Sequence, residues 1–110
     1  MQPEVNIPFS NTETIPGVTI TQMMGVVTGS TVRAKNVFKD IGAGLKNMVG
    51  GELKAYTELL QESRNETLYR MLVDAQARGA NGVVNVRVAT SSVVGGAAEL
   101  LAYGTAVVVQ

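Results

Sequence analysis

The chain of 110 residues contains no cysteine, no histidine and no tryptophan. Without cysteine there is no disulfide, thiolate nucleophile or thiolate metal site. Without histidine there is no imidazole base and no tight zinc or copper centre of the usual kind. Aromatic residues make up only 5%, too few for the stacking platforms that hold single-stranded nucleic acid. Charge is also scarce, at 16% with nine residues of each sign and a net charge of +0. Globular proteins usually carry about 25%. No dense Lys/Arg cluster offers the counterion release that drives phosphate-backbone binding, so nucleic acid is not an expected partner. No apolar run approaches the ~20 residues of a membrane span, so no membrane partner is expected either. The opening "MQPEVNIPFS" lacks the positive start and apolar core of a secretory leader, and the expected location is the cytoplasm.

What is present is apolar surface, at 45% of residues. The length suits one domain, and a chain with this little charge cannot cover its outside with polar groups. Interfaces between identical copies are therefore expected. All three prolines fall at positions 3, 8 and 16. Residues 1–17 read as an irregular lead-in strapped over the surface, and residues 18–110 as a single domain.

"VTITQMMGVVT" (Val18 to Thr28) is rich in β-branched residues and predicts a first strand, with Val18, Ile20, Met24 and Val26 on one face and "GST" as the following turn. Residues 35–49 predict a helix with one apolar stripe, closed by Gly50. A second, longer helix is predicted from Glu52 to Arg78, stopped by Gly79. Leu53, Tyr56, Leu60, Leu68, Met71, Leu72 and Ala75 lie on one of its sides. Ala55, Leu59, Tyr69, Val73 and Ala77 lie nearly opposite and are assigned to an oligomer interface, because one sheet cannot bury both stripes. Glu66/Arg70 and Asp74/Arg78 are opposite charges four residues apart. "VVNVRVAT" (Val83 to Thr90) alternates as a half-exposed strand, with Val84, Val86 and Val88 together. "LLAYGTAVVV" (Leu100 to Val109) has no polar face and predicts a central strand, with small Ala102, Gly104 and Ala106 towards the helix and Leu101, Tyr103, Val107 and Val109 away from it. A right-handed crossover then gives an α+β subunit of β-α-α-β-β order, with a three-stranded antiparallel sheet in the order 1-3-2 packed by the long helix.

"DIGAGLKNMVGGELKAYTELL", "DAQARGANGVVNVRV" and "AYGTAVVV", in this order, resemble the YbjQ-like family of small bacterial proteins, also labelled a heavy-metal-binding domain. The resemblance covers Val18 to Val109. Asp40, Gly50, Gly51, Glu52, Tyr56, Gly79, Ala80, Asn81, Gly104 and Thr105 match its motif. It implies a dodecin-like subunit assembled as a homopentameric ring, and it implies no known activity.

For chemistry, Asp40, Glu52 and Tyr56 are the candidate ligand-binding residues. A Gly-Gly turn could gather them into a polar pocket for a small ligand or a hard divalent cation such as Mg²⁺ or Ca²⁺. The alternative is that both carboxylates sit near helix ends and serve only those ends. Glu58, Glu62 and Glu66 form a carboxylate ladder that suits a solvated edge or a subunit seam better than acid–base work. Methionines could suggest copper(I), but without Cys or His they read as core filler. No nucleophile–base pair can be assembled, so no catalysis is expected, no cofactor is evident, and the identity of any metal is open. The expected role is a non-catalytic scaffold oligomer, with ion or small-molecule binding at subunit seams as the alternative.

Overall fold

The computed structural model describes residues 5–33, 54–92 and 97–110, with side chains of the helix from Thr57 onwards. The element order is β1 (Ile20–Arg33), α1 (Lys54–Ala77), β2 (Gly82–Ser92) and β3 (Ala98–Val109). Both neighbours of β3 run antiparallel to it, and the sheet order is β1-β3-β2. This is an α+β fold with the most apolar strand in the middle, where both ladders bury its backbone. The helix predicted over residues 35–49 lies outside the described residues.

The helix lies on one face of the sheet, mainly across β1 and β3. Its buried side carries Met71, Leu72 and Ala75, which meet Val27, Val83, Val86, Ala102 and Ala106 in a single core. The approach is closest at Gly29. A Cβ built there would stand 2.4 Å from both the Met71 amide nitrogen and the Thr67 carbonyl oxygen, so helix backbone rests directly on strand backbone. Hydroxyls fasten the same joint. Thr67 Oγ1 donates to the Ser63 carbonyl at 2.6 Å and lies 2.8 Å from Thr31 Oγ1, with both threonines buried. Since the Thr67 proton is already committed, Thr31 must be the donor to Thr67. Arg33 Nε donates to Ser63 Oγ at 3.0 Å. Among the described residues no buried side-chain polar atom lacks a partner, as a close-packed joint requires.

The helix ends as its sequence predicts. Gly79 has a φ of +85°, its N–H donates to the Gln76 carbonyl, and the Ala80 N–H donates to the Ala75 carbonyl at 3.1 Å. Those two bonds are a Schellman motif, which needs a left-handed residue at the Gly79 position.

Three details of the strands differ from the sequence expectation. The first strand is longer and runs through "GST", because Gly29 and Thr31 are the residues the helix rests on. Register shifts between Ile20 and Gln22 and between Met23 and Gly25, the latter with Gly25 at φ +98°, each insert one extra residue into β1. Such a bulge moves everything after it to the opposite face. Val27 therefore takes the core position and Val26 is 64% exposed. A shift in β2 between Val84 and Arg87, with Asn85 at φ +55°, breaks the Val84/Val86/Val88 face in the same way. Gly104 faces this bulge: a Cβ there would come within 2.9 Å of Val83 Cγ1 and 3.0 Å of the Val84 carbonyl. Its small size serves the neighbouring strand rather than the helix.

The lead-in is stitched to the outer edge of β2. Val83 N–H donates to the Pro8 carbonyl, Ser10 N–H to Val83, Val86 N–H to Ser10 and Asn85 N–H to Thr12, at 2.9–3.1 Å. Arg87 Nη1 donates to the Asn11 carbonyl at 2.8 Å. Val5 and Ile7 pack against the core on the helix side, whereas Ile15 lies beside Gly82, Val107 and Val109 on the other face. The strap thus passes around the edge of β2 from one face to the other.

Gly29→Ala is expected to lower stability by about 3 kcal/mol, the upper end of overpacking costs, because both obstructing atoms belong to backbone. Urea unfolding at one protein concentration measures it, and a loss below about 0.5 kcal/mol, the scale of a neutral surface change, would mean that the helix is not held there. Thr67→Val should cost about 1–2 kcal/mol by leaving the Thr31 hydroxyl without its acceptor. Adding Thr31→Val should then cost less than the two single changes summed, and strict additivity would contradict the network.

Candidate functional site

The three residues singled out for ligand binding are not brought together by anything described. Asp40 and Glu52 lie outside the described residues, and Tyr56 is fixed only as a position in the first turn of α1. The five residues assigned to an interface follow the outer side of α1. Leu59 and Tyr69 are half-buried, Ala77 is exposed and Val73 is 40% exposed; the side chain of Ala55 is outside the described set. This stripe is not a continuous apolar surface, because Glu58, Glu62 and Glu66 interrupt it. Together with Tyr69 these carboxylates border a shallow open depression along the helix. Glu66 pairs with Arg70 at 3.1 Å. Among the described residues no three Asp, Glu, His or Cys side chains converge on a point that could hold a metal ion.

The larger unpartnered surface is on the sheet. On the face turned away from α1, Met23 is 72% exposed, Val26 64%, Val32 58% and Tyr103 39%. The register explains their grouping. Val26 opposes Thr105, Thr28 opposes Tyr103, Ser30 opposes Leu101 and Val32 opposes Glu99, so β1 and β3 contribute adjacent rows. The β2 end of the same face differs. Val84 and Val107 are buried there, and Ile15 of the strap packs beside Val107 and Val109. Among the described residues, the second face is therefore half covered from within and half bare. Sequence reasoning expected the whole of it to need a neighbour, because nothing in "IPGV" announces that Ile15 folds back over β3.

The motif residues that lie in the described part do structural work. Gly79 forms the left-handed turn and Ala80 is buried behind it. Asn81 extends the end of the sheet with its side chain: Nδ2 donates to the Val109 carbonyl at 3.0 Å, and Val109 N–H donates to Asn81 Oδ1 at 2.7 Å. Gly104 receives the β2 bulge. A Gly-Ala-Asn sequence is what a helix-to-strand turn that also closes a strand end requires.

A family described as "Putative heavy-metal-binding" matches residues 7–110. The chain belongs to this YbjQ family. A "UPF0145 protein" of Hahella chejuensis is 60% identical over 102 residues, covering 93% of this chain and 98% of that one. A "UPF0145 protein" of Archaeoglobus fulgidus is 57% identical over 104 residues, with 94% and 96% covered. Its namesake in Psychrobacter arcticus is 57% identical over 103 residues but longer, the match spanning 94% of this chain and 65% of the relative. Among solved structures, a protein of unknown function of the DUF74 family from Pediococcus pentosaceus matches with a TM-score of 0.57 at 18% identity, covering 94% of this chain and 98% of that chain. That likeness concerns the fold alone.

The donor set of this YbjQ member does not fit a heavy metal. Soft ions select thiolate, thioether and imidazole, and the chain has neither Cys nor His. Of the thioethers among the described residues, Met71 is fully buried in the core, Met24 packs against the core, and Met23 stands exposed on the opposite face, so the three do not share one site. Zinc, cadmium or copper(I) in molar excess is accordingly expected to leave the melting temperature unchanged, and a saturable rise with any of them would contradict this reading of the donor set.

Proposed function

We propose that this YbjQ protein is a non-catalytic structural subunit that closes with copies of itself into a homo-oligomeric ring, burying the bare half of its sheet. The observation that carries the proposal is the cluster of Met23, Val26, Val32 and Tyr103 on a face over which no helix of the described residues lies. Fully burying one side chain of the Val or Met kind contributes about 1.5–3 kcal/mol. Three or four of them per subunit give a sizeable driving force before polar contacts are counted. A ring of five is what the family resemblance implies. The exposed parts of the outer helix stripe, Val73 and Ala77, supply a second contact surface, as a ring needs two different patches on each subunit.

The family description favours a second reading, in which a hard cation or small ligand is held at subunit seams by Asp40, Glu52 and Tyr56. It requires oxygen donors only, which suits Mg²⁺ or Ca²⁺. Its test is a melting temperature that rises saturably with either ion and loses that response in Glu52→Gln. No response in the unsubstituted protein would end it.

Light scattering on a sizing column tests the main proposal. The unsubstituted protein is expected to elute at a constant multiple of its 11.6 kDa chain mass across low-micromolar concentrations. Met23→Lys with Val26→Lys should shift it to the monomer while far-ultraviolet dichroism is retained. A monomeric unsubstituted protein, or a substituted one of unchanged mass, would contradict the proposal.

A further inference from the structure

The two outer edges of the sheet are treated differently. Residues 8–12 cover the edge of β2, whereas the edge of β1 is met by charged side chains of α1. Arg70 Nη1 donates to the Ser30 carbonyl at 2.7 Å, and Asp74 Oδ2 accepts from the Thr28 N–H at 3.3 Å. These backbone groups point away from β3, since alternate residues of an edge strand turn their N–H and C=O outward. They are the groups a further strand would bond. Arg70 is held by Glu66 at 3.1 Å and Asp74 by Arg78 at 3.3 Å. The guanidinium of Arg78 reaches Gly25 further along the same strand, 3.5 Å from where a Cβ would stand. The row Glu66–Arg70–Asp74–Arg78 therefore follows the edge.

The strand so met is well suited to pair with itself. Val26, Thr28, Ser30 and Val32 share the outward set. An antiparallel copy placed symmetrically about Gly29 would set Thr28 against Ser30 and Val26 against Val32, each twice. Val26 and Val32 are 64% and 58% exposed, so both apolar pairs would gain burial. β1 is long, at 14 residues, and carries no charge before Arg33. Long, uncharged, apolar edges are the ones that template association.

We propose that Arg70 and Asp74, steadied by Glu66 and Arg78, keep the edge of β1 from pairing with β1 of a second copy. The side chains act by occupying the central N–H and C=O and by standing where the incoming strand would lie. The inference concerns the sheet edge rather than its bare face, and it holds whether the resting protein is a ring or a single chain.

The experiment is Arg70→Ala with Asp74→Ala, alanine preserving helix propensity. Mass by light scattering over a concentration series is compared with the unsubstituted protein. A rise in mass is expected while the unsubstituted protein keeps one mass: single chains would stop at a pair, because the symmetric contact closes on itself, whereas rings carrying several β1 edges each would grow without limit. Adding Val26→Lys should abolish the growth by placing a charge in the symmetric pairing, whereas adding Gln76→Lys, an exposed position of α1 away from the β1 edge, should leave it intact. A double variant that keeps the unsubstituted mass at every concentration overturns the proposal. So does growth that both lysines suppress equally, or that neither suppresses, because that pattern belongs to a destabilised chain rather than to a paired edge.

Discussion

The contact between α1 and Gly29 sets the rest of the architecture. With helix backbone resting on strand backbone, the axis of α1 is held over β1 and β3, and the Ser63–Thr67–Thr31 hydroxyls fall into hydrogen-bonding range. From that placement it follows that Met71, Leu72 and Ala75 fill the core, that Arg70 and Asp74 overhang the outer edge of β1, and that the opposite face receives no helix from the described chain. A side chain at residue 29 would lift the helix and loosen all of these together. The buried hydroxyls add specificity of position to a core made otherwise of apolar groups, because each must find its partner or bear a desolvation cost of about 1–3 kcal/mol.

A small three-stranded sheet has two edges and two faces to manage, and each is handled by a different part of the chain. The helix covers one face. The lead-in bonds along the β2 edge and sends Ile15 onto the second face. Charges of α1 meet the β1 edge. The remainder, around Met23, Val26, Val32 and Tyr103, is apolar and left uncovered by the described residues. The YbjQ motif residues in the described part belong to the same economy of backbone geometry: Gly79 turns, Asn81 closes a strand end and Gly104 admits a bulge. None of these roles is chemical.

Much of this was legible in the sequence. The long helix, its stop at Gly79, the strand order and the central place of β3 follow from periodicity, helix-end residues and the absence of a polar face in "LLAYGTAVVV". The side assignments along β1 and β2 were not legible, since one extra residue at Met24 or Asn85 reverses every later position and nothing in composition marks it beforehand. Gly25 was the available signal for the bulge beside Met23, nothing comparable marked the shift at Ile20, and the glycine of "GST" read as a turn although it is needed for contact rather than for bending. The pairs Glu66/Arg70 and Asp74/Arg78 read as ordinary helix ion pairs. Their second role depends on a strand edge that only the three-dimensional arrangement places beneath them. Of the proposed ligand residues, Asp40 and Glu52 lie outside the described residues, so sequence pattern and family resemblance remain their whole support.

The central claim, that copies of this chain cover the bare half of the sheet, is tested most directly by peroxide oxidation of the assembled protein read by tandem mass spectrometry. Met23 is 72% exposed in the single chain and Met71 fully buried, so the two thioethers serve as probe and internal reference. The account predicts that Met23 is oxidised far more slowly than free methionine, approaching the protection of Met71. Oxidation of Met23 at the rate of the free amino acid, with Met71 still protected, would contradict it.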